Sequence, residues 1–475
     1  MTVAVVVGID VGTTDTKALV VSTEGDELAD VRVATGWSEQ GAQCETSADA
    51  LYSGALAAVA GALEAAAQRV GEAVQALGIG ITGMAESGVL LGSDGDVQAP
   101  IMAWFDARGA DQMRALPTAL LDSFSARTGL PTTSQWSLAK LLWLRAQGIQ
   151  VRPGMCWLNV PEYVAVRLGA DRATEPSLAS RTGLLDQESG TPWQDALTAL
   201  GAGPGFLPPL LPAGTSLGRA SGDAVPAALR SATIVVAGHD HPVASFGAGA
   251  WGSDDLFDSY GTAEALVRVV GQPVTAPQRA RLVGLGLTMG EHCLPDRWVV
   301  SGPTRGGLVL RRILAVIGRA DAAGRDALDA AWTPSAGDDG VAVSGSTMHD
   351  DDVVVRATGD TVTPDAVWAA ALRHVSATAA TLADTIDAEV GRRRRVVVAG
   401  GWTRMSSVRD AKQLAMTDVS FSIRQQPGAF GAAIFAAWAA AGGPGTAVDF
   451  ASRFVPEPAA SSRQQTVNPP QGVLL

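Results

Sequence analysis

The chain carries one short pattern twice, about half its length apart. Near the N-terminus, Gly8-Ile9-Asp10-Val11-Gly12-Thr13-Thr14 is followed by Ala18-Leu19-Val20-Val21. Further on, Phe257-Asp258-Ser259-Tyr260-Gly261-Thr262-Ala263 is followed by Ala265-Leu266-Val267-Arg268-Val269. Each copy reads as a strand, a Gly-Thr turn and a second strand. Such a repeat predicts two similar domains facing each other, although so short a match also arises by chance.

The sequence around these hairpins predicts a mixed α/β fold, because strands and amphipathic helices alternate. The elements expected in the first half are strands Val3–Val7 and Lys17–Ser22, a hairpin turn at Glu24-Gly25-Asp26, a long helix from Asp49 to Leu77, strand Ile79–Thr82, and a helix from Ala139 to Gln147. Those expected later are strand Thr233–Ala237, a helix from Pro242, a helix Asp365–Val390, strand Val396–Ala399, and a buried Ala-rich helix within Pro427–Val448.

Bulk composition narrows the class of protein. The 475 residues are 47% hydrophobic, which allows a sizeable core and two to four domains. The formal net charge of −13 argues against nucleic acid or an anionic membrane as a partner. Cys44, Cys156 and Cys293 are far apart and form no CxxC pair, so neither a disulfide framework nor a zinc site is expected. Three unpaired thiols suit a reducing cytoplasm.

The first Gly-Thr turn has the chemistry of a phosphate site. Backbone N–H groups around Gly12 can point at phosphate oxygens, and the hydroxyls of Thr13 and Thr14 add donors. Asp10, at a strand end, suits Mg²⁺, which prefers oxygen ligands, and Lys17 either adds positive charge or lies on the surface. The alternative is an ordinary hairpin. The pattern is neither the P-loop GxxxxGK[ST] nor GxGxxG.

A candidate general base lies in Ala237-Gly238-His239-Asp240-His241-Pro242, where a strand meets a helix. Asp240 could cap the helix, or take the proton from a substrate hydroxyl, or do both. The positive end of the helix would keep its carboxylate ionised. His239 and His241 flank it, but no third cluster of ligands supports a transition-metal site.

A candidate substrate face lies in Trp104-Phe105-Asp106-Ala107-Arg108. If this segment is extended, Trp104, Asp106 and Arg108 point to one side. An aromatic ring, a carboxylate and a guanidinium suit a polyol, and the alternative is a surface ion pair beside a half-buried Trp. Glu86 follows strand Ile79–Thr82, and strand ends are usual places for site residues in α/β sheets.

These motifs, in this order and spacing, resemble the FGGY carbohydrate kinases, a family that includes xylulokinase, ribulokinase and glycerol kinase. The segments that carry the resemblance are Gly8 to Thr14, Trp104 to Arg108, Lys140-Leu141-Leu142-Trp143, Gly238-His239-Asp240, Gly261-Thr262-Ala263, Gly400-Gly401 and Gly431-Ala432-Ala433. The resemblance implies two actin-like, ribonuclease-H-like domains with mixed sheets flanked by helices, at 1–243 and 244–475. It places sugar and ATP in the cleft between them, with Mg²⁺ as cofactor.

The resemblance also implies a role for individual residues. Asp240 matches the catalytic base, and Asp10 and Asp240 lie near Mg²⁺. The sugar-contacting set is Glu86, Trp104, Asp106, Arg108, His239 and Asp240. The nucleotide-contacting set is Gly12, Thr13, Thr14, Lys17, Gly261, Thr262, Gly306, Gly400, Gly401 and Trp402.

The chain departs from the family pattern at three places. Trp402 stands where a small residue usually follows the adenosine-contacting glycines. Ala85 replaces the Arg of glycerol kinases, and Ala85-Glu86 stands where xylulokinases have a Met-His pair. We expect ATP-dependent phosphorylation of a small sugar or polyol, and a ketopentose is the substrate expected first. A non-sugar ATPase or regulatory protein on the same scaffold is the alternative, and the oligomeric state stays open, a homodimer included.

Overall fold

The computed structural model describes residues 2–334, 340–347, 350–358 and 362–455. The last twenty residues of the predicted second domain lie outside this range. The elements of the first half are β1 (Thr2–Val11), β2 (Asp15–Ser22), β3 (Glu27–Ala34), β4 (Ser38–Gln40), β5 (Gln43–Thr46), α1 (Ala48–Val70), β6 (Ala73–Gly83), β7 (Gly88–Leu91), β8 (Ile101–Met102), α2 (Ala110–Arg114), α3 (Thr118–Thr128), α4 (Ser137–Ala146), β9 (Cys156–Asn159), α5 (Val160–Arg167), α6 (Pro176–Ala179), β10 (Leu185–Asp186), β11 (Thr191–Pro192), α7 (Gln194–Leu200), β12 (Thr233–His239) and α8 (Asp240–Gly247).

The first large sheet has the strand order β12-β6-β1-β2-β3. Strand β1 runs antiparallel to β2 and parallel to β6, and β6 runs parallel to β12. The side chains of β1 alternate between two apolar layers, as the pleat of a strand requires. Val5 and Val7 face a core that includes α1 and α5, whereas Val6 faces one that includes α8.

Helix α1 is shorter than the sequence predicts. Ser47 caps its N-terminus by accepting a hydrogen bond from Ala50 N. Gly71 then ends it with a left-handed φ of 73°, a conformation that glycine adopts without steric cost. The chain therefore turns at Gly71 and enters β6 at Ala73, so the expected helix to Leu77 is wrong. Helix α1 is long and apolar enough to span a membrane, but its apolar face packs on the first sheet.

The second half builds another large sheet and its covering helices. Its elements are β13 (Asp255–Tyr260), β14 (Glu264–Val270), α9 (Ala276–Gly284), β15 (Thr288–Glu291), β16 (Trp298–Thr304), α10 (Gly306–Val316), α11 (Ala322–Ala331), β17 (Val341–Thr347), β18 (Asp350–Ala357), α12 (Pro364–Val390), β19 (Arg395–Ala399), α13 (Ser406–Ala415), β20 (Val419–Phe421), α14 (Pro427–Ala440) and α15 (Ala447–Ala451).

The second large sheet repeats the topology of the first. Its order is β15-β16-β14-β13-β19-β20. The hairpin β13–β14 is antiparallel, and β13 runs parallel to β19, which runs parallel to β20. In both sheets, therefore, a group of antiparallel strands adjoins two further parallel strands, and the Gly-Thr turn joins two neighbouring strands of that group. The group has three strands in the first sheet and four in the second, where β15 also pairs antiparallel with β16. The predicted structural repeat is confirmed.

Two helices connect the halves. Helix α8 follows β12 of the first sheet, and its Ala244 packs with Phe257 and Val397 of the second sheet. Helix α14 comes late in the chain, yet it packs on the first sheet, where Gly8 allows the backbone of Ala429 to approach closely. The predicted boundary at 243 remains a prediction, because part of the second half returns to the first sheet.

Candidate active site

The first Gly-Thr turn is held in place by side chains from other parts of the fold. Thr35 Oγ1 donates to Gly12 O at 2.8 Å, and Trp37 Nε1 donates to Thr13 O at 2.7 Å. Trp104 Nε1 donates to Thr13 Oγ1 at 2.9 Å. These bonds use carbonyl and hydroxyl acceptors of the turn. The next residue, Thr14, is exposed.

Asp10 lies at the end of β1 with one carboxylate oxygen unused. Its Oδ2 is 3.4 Å from Lys17 Nζ on the neighbouring strand. Its Oδ1 is buried without a hydrogen-bond partner among the described residues. Burial raises the pKa of Asp10, Lys17 opposes this, and the negative charge of Asp240 adds to the rise. A buried carboxylate oxygen without a partner, within reach of the charge of a second carboxylate, offers the oxygen ligands that Mg²⁺ prefers, so these residues fit the expected metal.

Asp240 is the first residue of α8, one position after the N-cap, which is His239. The N-cap alternative is therefore wrong. Asp240 Oδ1 accepts a hydrogen bond from His241 N at 2.6 Å and lies 3.0 Å from His239 Nε2 and 2.9 Å from His241 Nδ1. Burial raises the pKa of Asp240, but the charges and hydrogen bonds of the two histidines outweigh it and hold that pKa well below its usual range. The carboxylate is consequently ionised at neutral pH.

The two histidines and Asp240 also form a compact group. One ligand atom from each lies within 4.8 Å of the others. Burial lowers the pKa of His241, but the adjacent carboxylate of Asp240 outweighs this and raises it. Both imidazoles contact the same oxygen, Asp240 Oδ1, and these contacts fix the orientation of the carboxylate.

Glu86 lies close to this group and is held by a residue that the sequence analysis missed. Arg181 Nε and Nη2 both lie 2.9 Å from Glu86 Oε1, and the guanidinium stacks on the Trp136 ring. Arg181 Nη1 also donates to Thr288 Oγ1 of β15, which belongs to the second sheet. A sequence signal was present, since Arg181 is the one charged residue between 176 and 185.

The Trp104–Arg108 segment is a turn and not the extended strand that the alternation assumed. The carboxylate of Asp106 is buried and accepts hydrogen bonds from Cys44 N and from the Arg108 guanidinium. Arg108 also binds Glu45 at 2.7 Å. Asp106 and Arg108 therefore pair with each other below the surface and shape the loop, while Trp104 is the member of the trio that reaches the phosphate turn.

The second half gathers the residues of the predicted nucleotide site. A Cβ on Gly307 would lie 2.2 Å from Gly261 O, 2.6 Å from Thr262 O and 2.8 Å from Trp402 Nε1. Gly306 begins α10 here. Gly400, with φ of 130°, lies against the backbone of Tyr260, directly before Gly261, and Gly401 is exposed. Three separate segments thus meet at this turn, and the two that pack on the Gly261–Thr262 segment approach it closely because they carry Gly307 and Gly400.

Known proteins place the chain in a family. Residues 5–247 match the model of the FGGY family of carbohydrate kinases, N-terminal domain. The chain belongs to this family. Its curated relatives in the family include a gluconokinase of Bacillus subtilis, 23% identical over 64% of this chain and 58% of that protein, and a glycerol kinase of Thermus brockianus, 32% identical over 42% of each. The chain spans about half the length of the curated relatives it matches.

Solved structures of family members share the fold over nearly the whole chain. A gluconate kinase from Lactobacillus acidophilus superposes with a TM-score of 0.80 at 19% identity, covering 95% of this chain and 92% of that one. A Plasmodium falciparum glycerol kinase with ADP also gives 0.80, at 15% identity, covering 96% and 93%. The predicted actin-like α/β fold with mixed sheets is confirmed.

Proposed function

We propose that the chain catalyses ATP-dependent phosphorylation of a hydroxyl group on a small sugar. The observation that carries this proposal is the position of Asp240. Its ionised carboxylate, oriented by two histidines, lies near the Mg²⁺-competent Asp10 at the end of the first hairpin. A base beside a metal-binding carboxylate and a phosphate turn is the arrangement that phosphoryl transfer to an alcohol requires.

The proposed reaction proceeds as follows. Asp240 accepts the proton of the sugar hydroxyl while that oxygen bonds to the γ-phosphorus of ATP, and the bond to the β,γ-bridging oxygen breaks to release ADP. A low pKa makes Asp240 a weak base, but positioning and charge neutralisation supply most of the rate in such transfers. Asp10 and Asp240 would hold Mg²⁺, which neutralises phosphate charge when bound.

The two hairpin turns are proposed to bind the polyphosphate from opposite halves of the molecule. Gly12, Thr13 and Thr14 would face one end, with Lys17 nearby, and Gly261 and Thr262 the other. Gly306, Gly400, Gly401 and Trp402 would contact the nucleoside. Domain closure then excludes water from the γ-phosphate, as lid and domain motions do in other kinases.

The charges near Asp240 favour a neutral sugar over a sugar acid. Lys17, Arg181 and His241 each already pair with a carboxylate, on Asp10, Glu86 and Asp240 respectively. An incoming carboxylate would meet these acidic groups and would have to displace one of them. Ala85 in place of an arginine argues against glycerol. A ketopentose is therefore the substrate that we propose first, with Trp104, Glu86 and His239 as contacts.

The test is ADP release with Mg²⁺-ATP across xylulose, ribulose, fuculose, gluconate and glycerol. A ketopentose should stimulate turnover well above the basal ATPase rate, and gluconate should not. Stimulation by gluconate alone would overturn the charge argument. No stimulation by any acceptor would favour the alternative, a non-sugar ATPase or regulatory protein on this scaffold.

The matched variant for this test is Asp240→Asn, which keeps the shape of the side chain. We expect sugar phosphorylation to fall by about 10²–10⁴-fold, the usual contribution of a general base. Binding of ATP, measured by calorimetry without Mg²⁺, should stay close to wild type. Full phosphorylation activity in this variant would remove Asp240 from the mechanism.

A further inference from the structure

The peptide group between Gly238 and His239, one peptide before the one that joins His239 to Asp240, is held from both sides by buried hydroxyls. Its carbonyl, Gly238 O, accepts a hydrogen bond from Thr82 Oγ1 of β6 at 2.7 Å. Its amide, His239 N, donates to Ser177 Oγ of α6 at 2.9 Å. Thr82 and Ser177 are fully buried. One peptide plane is thus fixed by side chains from two different elements.

This pair of hydrogen bonds, which we call the clamp, lies directly after a bulge in β12. The pairing of β12 with β6 shifts register between Val236 and Gly238, and Gly238 has φ of 117°. A Cβ at Gly238 would lie 2.6 Å from Ser177 Oγ, so a glycine is needed for the hydroxyl to reach the peptide. A bulge locally disrupts the ladder and bends the strand, and pairing with β6 resumes only at the last two residues of β12, Gly238 and His239. The two hydroxyls add to the hold on this short end of the strand.

The hydroxyl of Ser177 is itself fixed by a buried chain of hydrogen bonds. It donates to Glu175 Oε2, which also accepts from Leu178 N at 3.1 Å. Glu175 N donates to Glu162 Oε1 at 3.0 Å, and Glu162 Oε2 accepts from Asn159 N at 2.7 Å. This series of hydrogen bonds therefore runs from the end of β9 to the start of α8. Among the proposed sugar contacts, this hydrogen-bond chain touches His239, through its backbone amide.

We propose that Thr82 and Ser177 are positioning residues, which set the direction of the Asp240 carboxylate by clamping the Gly238–His239 peptide. The inference rests on the proposed role of Asp240 as base. A small rotation of this peptide would swing the first residue of α8, and displacement of a reacting group by about 1 Å costs on the order of 100-fold in rate. The sequence gives no motif for either residue.

The experiment compares Ser177→Ala, Thr82→Val and Thr82→Ser. We expect Ser177→Ala and Thr82→Val to lower kcat for the best sugar at least about tenfold. The KM for the sugar and the KM for ATP should each stay within about twofold of wild type. Thr82→Ser keeps the hydroxyl and should retain most of kcat. Because both bonds hold one peptide, the double variant Thr82→Val/Ser177→Ala should lose little more than the worse single variant.

The control is Thr128→Val in α3. Thr128 Oγ1 likewise donates to a backbone carbonyl, Phe124 O at 2.7 Å, and accepts from a backbone amide, Leu130 N at 3.2 Å, and the residue is buried. It should lose stability without the selective loss of kcat. Equal kcat losses in Thr128→Val and Ser177→Ala would overturn the proposal, as would a Thr82→Ser variant as impaired as Thr82→Val.

A second readout does not depend on activity. Hydrogen–deuterium exchange of peptides spanning residues 233–247 should become faster in Ser177→Ala and stay unchanged in Thr128→Val. If the wild-type protein phosphorylates no sugar, the proposed function fails, but the exchange rates still test whether Ser177 holds the Gly238–His239 peptide. If the wild type is active and exchange in Ser177→Ala is unchanged, the clamp fails and the function stands.

Discussion

Trp104 and Asp106 were both predicted to contact the substrate, but their side chains have different surroundings. Trp104 reaches Thr13 of the phosphate turn through its indole N–H. Asp106, two positions later, has a fully buried side chain that binds Arg108. Burial raises the pKa of Asp106, but the hydrogen bonds from Arg108 and from the Cys44 amide outweigh it and lower that pKa. A carboxylate engaged in this way acts on loop structure.

Substitution of Asp106 should therefore reduce stability and not sugar affinity. Asp106→Asn leaves a buried guanidinium short of its partner, and breaking such a pair costs about 3–5 kcal/mol. We expect a lower denaturation midpoint, with the sugar KM unchanged well below that midpoint. Asp111→Asn is the control, because its pair with Arg114 is exposed and worth about 1 kcal/mol or less. A raised sugar KM in a stable Asp106→Asn protein would restore it to the substrate set.

At the scale of elements, the crossing of α8 and α14 depends on glycine. A Cβ on Gly247 would lie 2.0 Å from Pro427 O, and one on Gly431 would lie 2.4 Å from Val243 O. The two helix backbones are thus in contact at the crossing. Because α8 begins with Asp240 and the start of α14 adjoins Asp10, this crossing also sets the distance between the candidate base and the candidate metal ligand.

Gly431→Ala should force these helices apart. Overpacking of this kind typically costs about 1–3 kcal/mol, and we expect kcat to fall along with the free energy of unfolding. Gly54→Ala in α1 is the matched control, since its Cβ would make only ordinary contact, 3.8 Å from a methyl group of Val33. That variant should be as stable as wild type or more so. Equal denaturant midpoints for the two variants would contradict the tight crossing.

The elements predicted from the sequence are those with strong local signals. The Glu24-Gly25-Asp26 turn joins β2 to β3 as expected, and the helix predicted at Asp365–Val390 is α12, which begins one residue earlier. The sequence predicts α1 as too long because the Ala-rich pattern continues past Gly71, whose left-handed conformation ends the helix. Arg181 has one local signal, its charge in an uncharged stretch, and Ser177 has none, because their partners, on Glu86 and His239, lie more than sixty residues away. Long-range contacts of this kind leave no periodic trace.

At the scale of the whole molecule, buried carboxyl groups tie stability to pH. Burial raises the pKa of Glu175 to about 8 and that of Glu162 to about 7 in the first half, and that of Glu291 to about 7 in the second. Between the unfolded value near 4.5 and these folded values, the folded protein holds protons that the unfolded chain releases. Stability is therefore highest below the unfolded value, declines as pH rises from there to the folded pKa values, and is constant above them.

The thermal midpoint should accordingly fall between about pH 5 and pH 8, from just above the unfolded value near 4.5 to the raised values of about 7 to 8. Glu175→Gln, which can still accept the bonds from Ser177 and Leu178, should flatten that fall and be more stable than wild type at pH 9. The measurement is calorimetry across pH in both proteins. Parallel pH profiles for the two would show that Glu175 does not carry the dependence.

The return of α14 to the first sheet has a consequence for biosynthesis. Strands β1 and β2 leave the ribosome first, but the helix that covers Val6, Leu19 and Val21 begins at Pro427. At about 5–20 residues per second, roughly 20–80 s pass before that cover exists. During this interval the apolar sheet face lacks the α14 part of its cover, although Val243 and Phe246 of α8 already exist. We therefore expect a product truncated before Pro427 to aggregate, because it leaves Val6, Leu19 and Val21 without this helix.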